Sequence, residues 1–591
     1  MRPQGALHGG APWNDERHNV EYRNLLASNN EGNNAQNDPA RDAAAGPYII
    51  GSETEYGIVA VNEPEASPIV TSTQAVVAWA EHSGQGVNRR TRWDYENESP
   101  LRDIRGFDLR RYRRGSAPVL DPNAVGAANV IAANGARFYV DHAHPEYSSP
   151  ESTTARAAVI WDKAGDIIMH QAAQASGAIE GQPELKIYKN NVDGKGASYG
   201  SHENYLYPRD WDVEKVNQAL IPHFVTRQIY TGAGRIGLGQ QGQQPGFQIS
   251  QRADYIETDI SLETTLNRGI INTRDEPHAV GSQWRRLHVI IGDANMSETA
   301  AYLKFGTTAL LLRAVGAGAD FSDMAMYEPV SDVQKISRDL TCSEPLRFYG
   351  NTTMTAIEVQ REIRRRVIAA LTGESGADAG AELSADDRNV VDVWEQILND
   401  LESDPLSTAD RLDWTAKLAL INGYRARGIE WTDPRLALVD LQYSDIDPAR
   451  GLYHALVARG RMRTIVEPEA IEHAVHCPPR DTRAWLRGQL VAAYSDHVLA
   501  ANWDSVVVDT PFNGQQAARI VMDDPRAFTA SEVAGIFPCY NQKSAGANGG
   551  DGGDSGDSGD SAGGATLDIA EVVQKLAALR PDKVEGVGNF V

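Results

Sequence analysis

Between residues 47 and 540 the apolar positions follow two periods by turns, short runs that alternate and longer runs with helical spacing, and no internal repeat is detectable. The segment from Ile49 to Ile58 alternates and reads as a strand. Gly135 to Asp141 does the same, with Phe138 and Val140 pointing into a core while Arg137, Tyr139 and Asp141 share the opposite face. His202 and Asn204 also share a face, where a long polar loop returns to a strand. Helical spacing begins after Ser149, which reads as an N-cap with Pro150 at the first helical position and Glu151 in the first turn, and continues through about Ser176 to a stop at Gly177. Ser297 to Val315, closed by Gly316, and Ile357 to Leu371 are further helices, and Arg361, Arg364, Arg365 and Arg366 read as a solvated face of the latter. Strands and helices mixed in this way predict an α+β fold.

The ends break the pattern. Residues 1–46 are rich in Asn, Arg, Asp, Gly and Ala without an apolar period, so a disordered leader is expected there, with the fold beginning near Pro47. Residues 541–564 form a Gly/Asp/Ser tract expected to be a flexible linker. In the tail that follows, 565–591, Leu567, Ile569, Val572, Val573, Leu576 and Leu579 lie along one face of a short helix, which docks either on its own domain or on a partner. Because the region from Gly549 onward carries no active-site motif, its removal is expected to leave catalysis nearly unchanged. A chain of 591 residues exceeds one hydrophobic core. The expected division is a catalytic domain over 47–430, interrupted by an insertion at about 85–120, and a small C-terminal domain over 431–540.

Composition narrows the function classes. The three cysteines, Cys342, Cys477 and Cys539, are far apart and form no C-x-x-C pair, which argues against a disulfide framework or a thiolate zinc site. A net charge of −24 disfavours nucleic acid and anionic lipid as partners. No stretch approaches the roughly 20 apolar residues of a membrane span, and no secretory signal opens the chain. A bacterial cytoplasmic protein is expected.

The chemistry concentrates on the strand faces. Glu53 and Glu55 project from one side of their strand, about 7 Å apart along the chain, and such a pair is best tolerated with a hard cation between them, for which oxygen ligands suit Mg²⁺. Arg137, Tyr139 and Asp141 form a second polar face, which leads into His142, His144 and Glu146. The loop from Tyr188 to Tyr205 brings His202. Ile271 to His278 and Arg285 to Ile290 add arginines among carboxylates, a combination suited to phosphate. Several motifs fail on context: Gly232-Ala-Gly-Arg-Ile-Gly237 runs into further Gly and Pro rather than a helix, no P-loop or nucleophile elbow occurs, and His473 with His476 lacks further zinc ligands.

Together the segments GSETEYGI, NGARFYVDHAHPEYSSPE, YKNNVDGKGASYGSHENYL, INTRDEPHA, RRLHVIIGDANMSET and LVDLQYSD resemble the family of Pup ligases and Pup deamidases/depupylases, relatives of glutamine synthetase and the carboxylate–amine ligases, over about residues 47–535. The stretch Thr91–Asp108 and the spacing of Val-Asp-His-Ala-His-Pro-Glu are similar to the deamidase branch rather than the ligase branch. The resemblance implies a glutamine-synthetase-like curved antiparallel sheet cradle backed by helices. It implies an amidohydrolase using ATP, or ADP plus phosphate, and Mg²⁺, which deamidates the C-terminal Gln of Pup and cleaves Pup from lysines. It also implies Pup and pupylated proteins as partners, with the proteasomal ATPase as a further candidate. By the same resemblance Asp141 matches the catalytic aspartate. Glu53, Tyr139 and Glu146 match Mg²⁺ ligands and His202 a metal-binding histidine, alongside Glu55. Arg137, Ser149 and Trp503 match nucleotide contacts, and Arg252, Arg274 and His288 match residues around the phosphates. Asp141 as direct nucleophile and Asp141 as base both stay open. The rival readings are a Pup–protein ligase, recognised by stoichiometric ATP use, a glutamate–amine ligase acting on a small substrate, and a non-catalytic Pup-binding adaptor.

Overall fold

The computed structural model describes residues 49–63, 65–83, 90–96, 98–108, 124–373, 383–537 and 567–588. The expected leader and linker lie outside these residues, as does part of the expected insertion, including 109–123. The fold is α+β. Its centre is a six-stranded sheet built from β1 (Ile50–Glu55), β2 (Asn129–Ile131), β3 (Arg137–Asp141), β4 (His144–Ser148), β5 (Ser201–Pro208) and β6 (Trp284–Val289), in the order β6-β5-β1-β4-β3-β2. Every neighbouring pair is antiparallel.

Alternation along these strands separates two environments. On one side Phe138 and Tyr147 turn inward against helices α1 (Pro68–His82) and α2 (Ala155–Gly177), where Trp79 meets Phe138 edge-on at 5.7 Å. The other side carries the charged residues. A larger core lies beyond β5 and β6, where the helices Val213–Thr226, Glu298–Gly316, Ala356–Leu371 and Ala385–Ser403 enclose Trp394 and Trp414. Within it Arg227 pairs with Glu203 of β5 at 2.6 Å, both fully buried.

α2 starts later than expected. Thr154 caps it by accepting from the Ala157 amide, whereas Ser149 exchanges hydrogen bonds with Ser52 of β1: its Oγ accepts from the Ser52 amide, and its own amide donates to the Ser52 carbonyl. The Ser-Pro-Glu signature thus marks a strand edge beside the site, and the cap is the Thr four residues after the proline.

A second sheet has five strands in the order Val584–Val587, Ala517–Val521, Ser505–Val508, Val498–Ala501, Arg92–Trp93. Its core joins Trp485 and Leu490 to Val506, Val508 and Ile520. Of the stretch 431–540, side chains from Leu436 to Val475 pack instead into the cores of the first half. The tail belongs to the second sheet. Its helix Ile569–Leu579 buries Ile569, Val572, Val573 and Leu576, and Val584–Val587 pairs antiparallel with Ala517–Val521. The helical face read from the sequence therefore docks on its own chain, and the tail contributes a helix and a strand to the second sheet. Among the described residues no helix is long and apolar enough to cross a membrane.

Candidate active site

The central strand organises the site, because register decides which side chains meet across it. Glu53 lies opposite His202 on one side and Ser148 on the other; Glu55 lies opposite Glu146, and Glu146 opposite Tyr139. The polar face lines a cleft of about 390 Å³ that contains Glu53, Glu55, Arg137, Tyr139, Asp141, Glu146, His202, Arg252, Arg274, His288 and Trp503. Ser149 opens instead into an adjoining apolar pocket of about 70 Å³, which shares Glu53, Ser148, His278, Arg286 and Trp503 with the cleft.

The two β1 carboxylates do not converge on one point. Glu53 gathers with His202 and His288, and Glu55 with Asp141 and Glu146, the potential ligand atoms of each trio lying within 4.8 Å of one another. Each β1 carboxylate has its nearest potential ligands on neighbouring strands, because the two-residue step along a strand is wider than the step across strands. Gly200 permits this crowding, since a Cβ there would collide with His202 Nε2 and Glu55 Oε1.

The oxygen-only trio is short of positive charge. Burial, followed by the charges of Asp141, Glu55 and Glu53, pushes the Glu146 carboxyl well above its ordinary range, and the Tyr139 hydroxyl donates to it at 2.6 Å. Three carboxylates and no paired lysine or arginine suit a hard divalent cation such as Mg²⁺, which would return Glu146 to its ionised form. At the second trio, burial would raise Glu53, but the His202 hydrogen bond and the nearby His288 and Arg286 hold it well below its usual value. Burial also keeps His288 neutral, with its Nε2 buried and without a hydrogen-bond partner. Carboxylate oxygen and neutral imidazole nitrogen are acceptable donors for a divalent cation.

Asp141 sits at the cleft mouth with its side chain 37% exposed. Burial raises its pKa, but the His142 hydrogen bond outweighs that and holds it below the ordinary value, while His142 is drawn up to about 8 by the same bond, Nδ1 to Oδ1 at 3.0 Å. His142 occupies the left-handed region at φ 53 in the tight β3–β4 turn. Arg137 is clamped between the rings of Tyr139 and Trp93, at 3.8 and 3.9 Å from their centroids, and it donates to Asn129 and to the Tyr95 hydroxyl. Trp93 and Tyr95 come from the expected insertion, which reaches the site through Glu98 and Pro100 as well. Trp503 packs edge-on against Trp93 at 5.3 Å. Arg252 is fully buried, its Nη1 donates to the Tyr199 carbonyl, and burial lowers it to about 10.

Residues that the sequence did not single out as site residues complete the arrangement. Asn204 and Arg286 link Glu53 to His288, His144 stacks on Tyr199 at 4.3 Å beside Glu55, and Arg268 lines the cleft. The signal for Arg286 and Asn204 was present, since each lies two positions from a predicted residue on the same strand face.

Residues 48–507 match the family described as Pup-ligase protein. The Pup deamidase/depupylase of Mycolicibacterium smegmatis is 50% identical over 489 residues, 83% of this chain and 96% of the relative. A crystal structure of the complex between the prokaryotic ubiquitin-like protein Pup and its ligase PafA superposes with a TM-score of 0.67 at 31% identity, covering 83% of this chain and 90% of that one. The structure of PafA in complex with ADP gives 0.61 at 34% identity, covering 72% and 92%. With the matched stretch running from the first strand of the acidic cleft into the second sheet, the chain belongs to the Pup-ligase protein family.

Proposed function

We propose that this protein is a Pup deamidase/depupylase, an ATP- and Mg²⁺-dependent amidohydrolase that converts the C-terminal Gln of Pup to Glu and cleaves the isopeptide bond between Pup and substrate lysines. The carrying observation is the 50% identity to a Pup deamidase/depupylase across 83% of the chain, against 38% across 71% and 42% across 62% for Pup–protein ligases. Pupylated proteins are then its substrates and the cytoplasm its compartment.

The cleft supports a division of labour. Asp141, exposed at the mouth and ionised, stands where an amide carbon can be attacked, either by the carboxylate itself or by a water that it deprotonates. In the water route the proton drawn from water passes to the departing nitrogen. In the direct route protonated His142 supplies that proton, and water then opens the acyl–Asp141 anhydride and restores both groups. The nitrogen leaves as ammonia from the Gln side chain or as the lysine amine from a conjugate. His142 holds the Asp141 carboxylate from the solvent side. Glu55 and Glu146, with Glu53 and His202 beside them, would hold Mg²⁺, which supplies charge stabilisation for phosphate and for the developing oxyanion. Tyr139 orients Glu146 by its hydrogen bond. Arg137, Arg252, Arg274 and His288 would face the nucleotide phosphates, and Ser149 and Trp503 would bound its base in the apolar pocket.

The test mixes the protein with Gln-ended Pup, Mg²⁺ and nucleotide, and follows the terminal amide by mass spectrometry and ATP by product analysis. Conversion of amide to acid with ammonia release, and with far less than one ATP consumed per event, is expected. Coupling of Glu-ended Pup to a lysine at one ATP per bond would identify the ligase reaction instead.

A further inference from the structure

Asn204 stands at the meeting point of three strands. It pairs with His288 of β6 across one ladder and with Gly51 of β1 across the other, two residue pairs away from the opposition of Glu53 and His202. Its side-chain amide makes three contacts inside the cleft. Nδ2 donates to Glu53 Oε1 at 2.8 Å, while Oδ1 lies 3.0 Å from Arg286 Nη1 and 2.9 Å from His288 Nδ1.

Chemistry allows one orientation of this amide. A carboxylate only accepts, and a guanidinium only donates, so the amide nitrogen must face Glu53 and the oxygen must face Arg286. The same oxygen then requires a donor from His288, which places the imidazole proton on Nδ1. His288 is thereby the tautomer whose Nε2 carries a free lone pair; this atom is buried and has no hydrogen-bond partner, and a ring nitrogen of His288 lies within 4.8 Å of the potential ligand atoms of Glu53 and His202. A partner that fixes the tautomer and the ring plane of an imidazole is what a metal-ligating histidine requires.

We infer that Asn204 is a positioning residue for a divalent cation held by Glu53, His202 and His288: its amide fixes His288 as the Nδ1–H tautomer and sets the carboxylate plane of Glu53, so that both present lone pairs to one ion. The inference rests on the Mg²⁺-dependent function proposed above and gives His288 a place beside a cation. The neighbouring trio of Glu55, Asp141 and Glu146 makes no contact with this amide, which separates the two half-sites in a binding experiment.

Mn²⁺ binding to the full-length, nucleotide-free protein, counted by electron paramagnetic resonance, reads the half-sites without any turnover. Asn204→Leu, nearly isosteric but unable to hydrogen-bond, is expected to weaken one Mn²⁺ by about 10- to 100-fold, the range for lost ligand-orienting partners, and to leave a second one unchanged. Asn204→Asp keeps the acceptor for His288 and Arg286 but loses the donor to Glu53, and is expected to weaken that Mn²⁺ clearly less than Leu does. In deamidation assays the Leu variant should need more Mg²⁺ for half-maximal rate yet regain most of the maximal rate at saturating Mg²⁺. Asn204→Ala substitutes for Leu if the latter does not fold by circular dichroism. Equal loss in Leu and Asp, no loss in either, or a maximal rate that excess Mg²⁺ does not restore overturns the inference. Absence of deamidation in the unaltered protein would sink the functional reading instead, and leaves the Mn²⁺ arm to decide on Asn204.

Discussion

The two sheets of this molecule put their side chains to opposite uses. In the second sheet Val506, Val507 and Val508 are completely buried, and the remaining inward positions are mostly Ala, Ile and Met. In the central sheet the equivalent alternation brings carboxylates, imidazoles and guanidiniums onto one face, with buried polar atoms such as His288 Nε2, Arg252 Nε and Arg274 Nε left without hydrogen-bond partners. Such a face costs stability, because buried polar groups without partners are destabilising by about 1–3 kcal/mol each. The contrast teaches that the first sheet carries most of the charged side chains of the cleft, while the second sheet is mainly an apolar support that contributes Trp93 and Trp503 at its border.

The comparison can be broken most sharply at Asp141. Asp141→Asn keeps size and hydrogen bonding but removes the charge, so the single-turnover rate of amide cleavage should fall by on the order of 10³ or more, with thermal midpoint and nucleotide affinity within error of the parent. A variant that still cleaves near the parent rate places the chemistry on another residue.

On the second sheet the expectation reverses, with stability lost first. Deleting residues 567–591 removes four buried apolar side chains, Ile569, Val572, Val573 and Leu576. At about 1.5–3 kcal/mol each, their loss is comparable with a typical domain's whole stability. Calorimetry should show the C-terminal part melting far earlier or not folding, and Leu576→Ala alone should cost about 2–5 kcal/mol. A truncated protein with an unchanged melting profile would restore the linker-and-tail picture drawn from composition.

The smallest expected effect lies where the two regions join. Glu151, at the end of the β4 segment, bonds Arg483 at 2.7 Å and Arg487 at 2.5 Å, and Arg487 also donates to the carbonyls of Gly135 and Trp503. Burial raises the Glu151 pKa, but the two guanidiniums outweigh it and bring the carboxyl from 4.5 down to about 2. That depression corresponds to about 3 kcal/mol of stability, present in full above the unfolded value and lost as pH falls from about 4.5 towards 2. Glu151→Gln should therefore melt below the parent at neutral pH, and the gap should close at pH ~2–3; a gap independent of pH contradicts the assignment.

The sequence revealed the first sheet better than the second, for a physical reason. Period-two alternation of charged residues around Glu53, Arg137 and His202 is rare in cores, so the strand face and most of the cleft were visible from spacing alone. What spacing could not show is which side chains meet across strands. Spacing pairs Glu53 with Glu55 along the strand but does not reveal that Asn204 and Arg286 join Glu53 to His288 across it. Ser149 was read as a helix cap because its hydroxyl, followed by Pro and Glu, is locally indistinguishable from one; only the long-range partner Ser52 decides. The tail was legible as an amphipathic helix but not as a component of the sheet, since Val584–Val587 is too short to announce a strand and its partner lies more than sixty residues earlier.

The outermost strand of the second sheet, Val584–Val587, is made more than sixty residues after the strand it pairs with. During synthesis Ala517–Val521 emerges with one edge bare, and it stays bare until Val584–Val587 has left the ribosome. Trp503, which this sheet delivers to the cleft, gains its full backing only at that moment. A nascent chain stalled before Val584 is accordingly expected to be an incomplete enzyme, its cleft finished only when that strand joins the sheet.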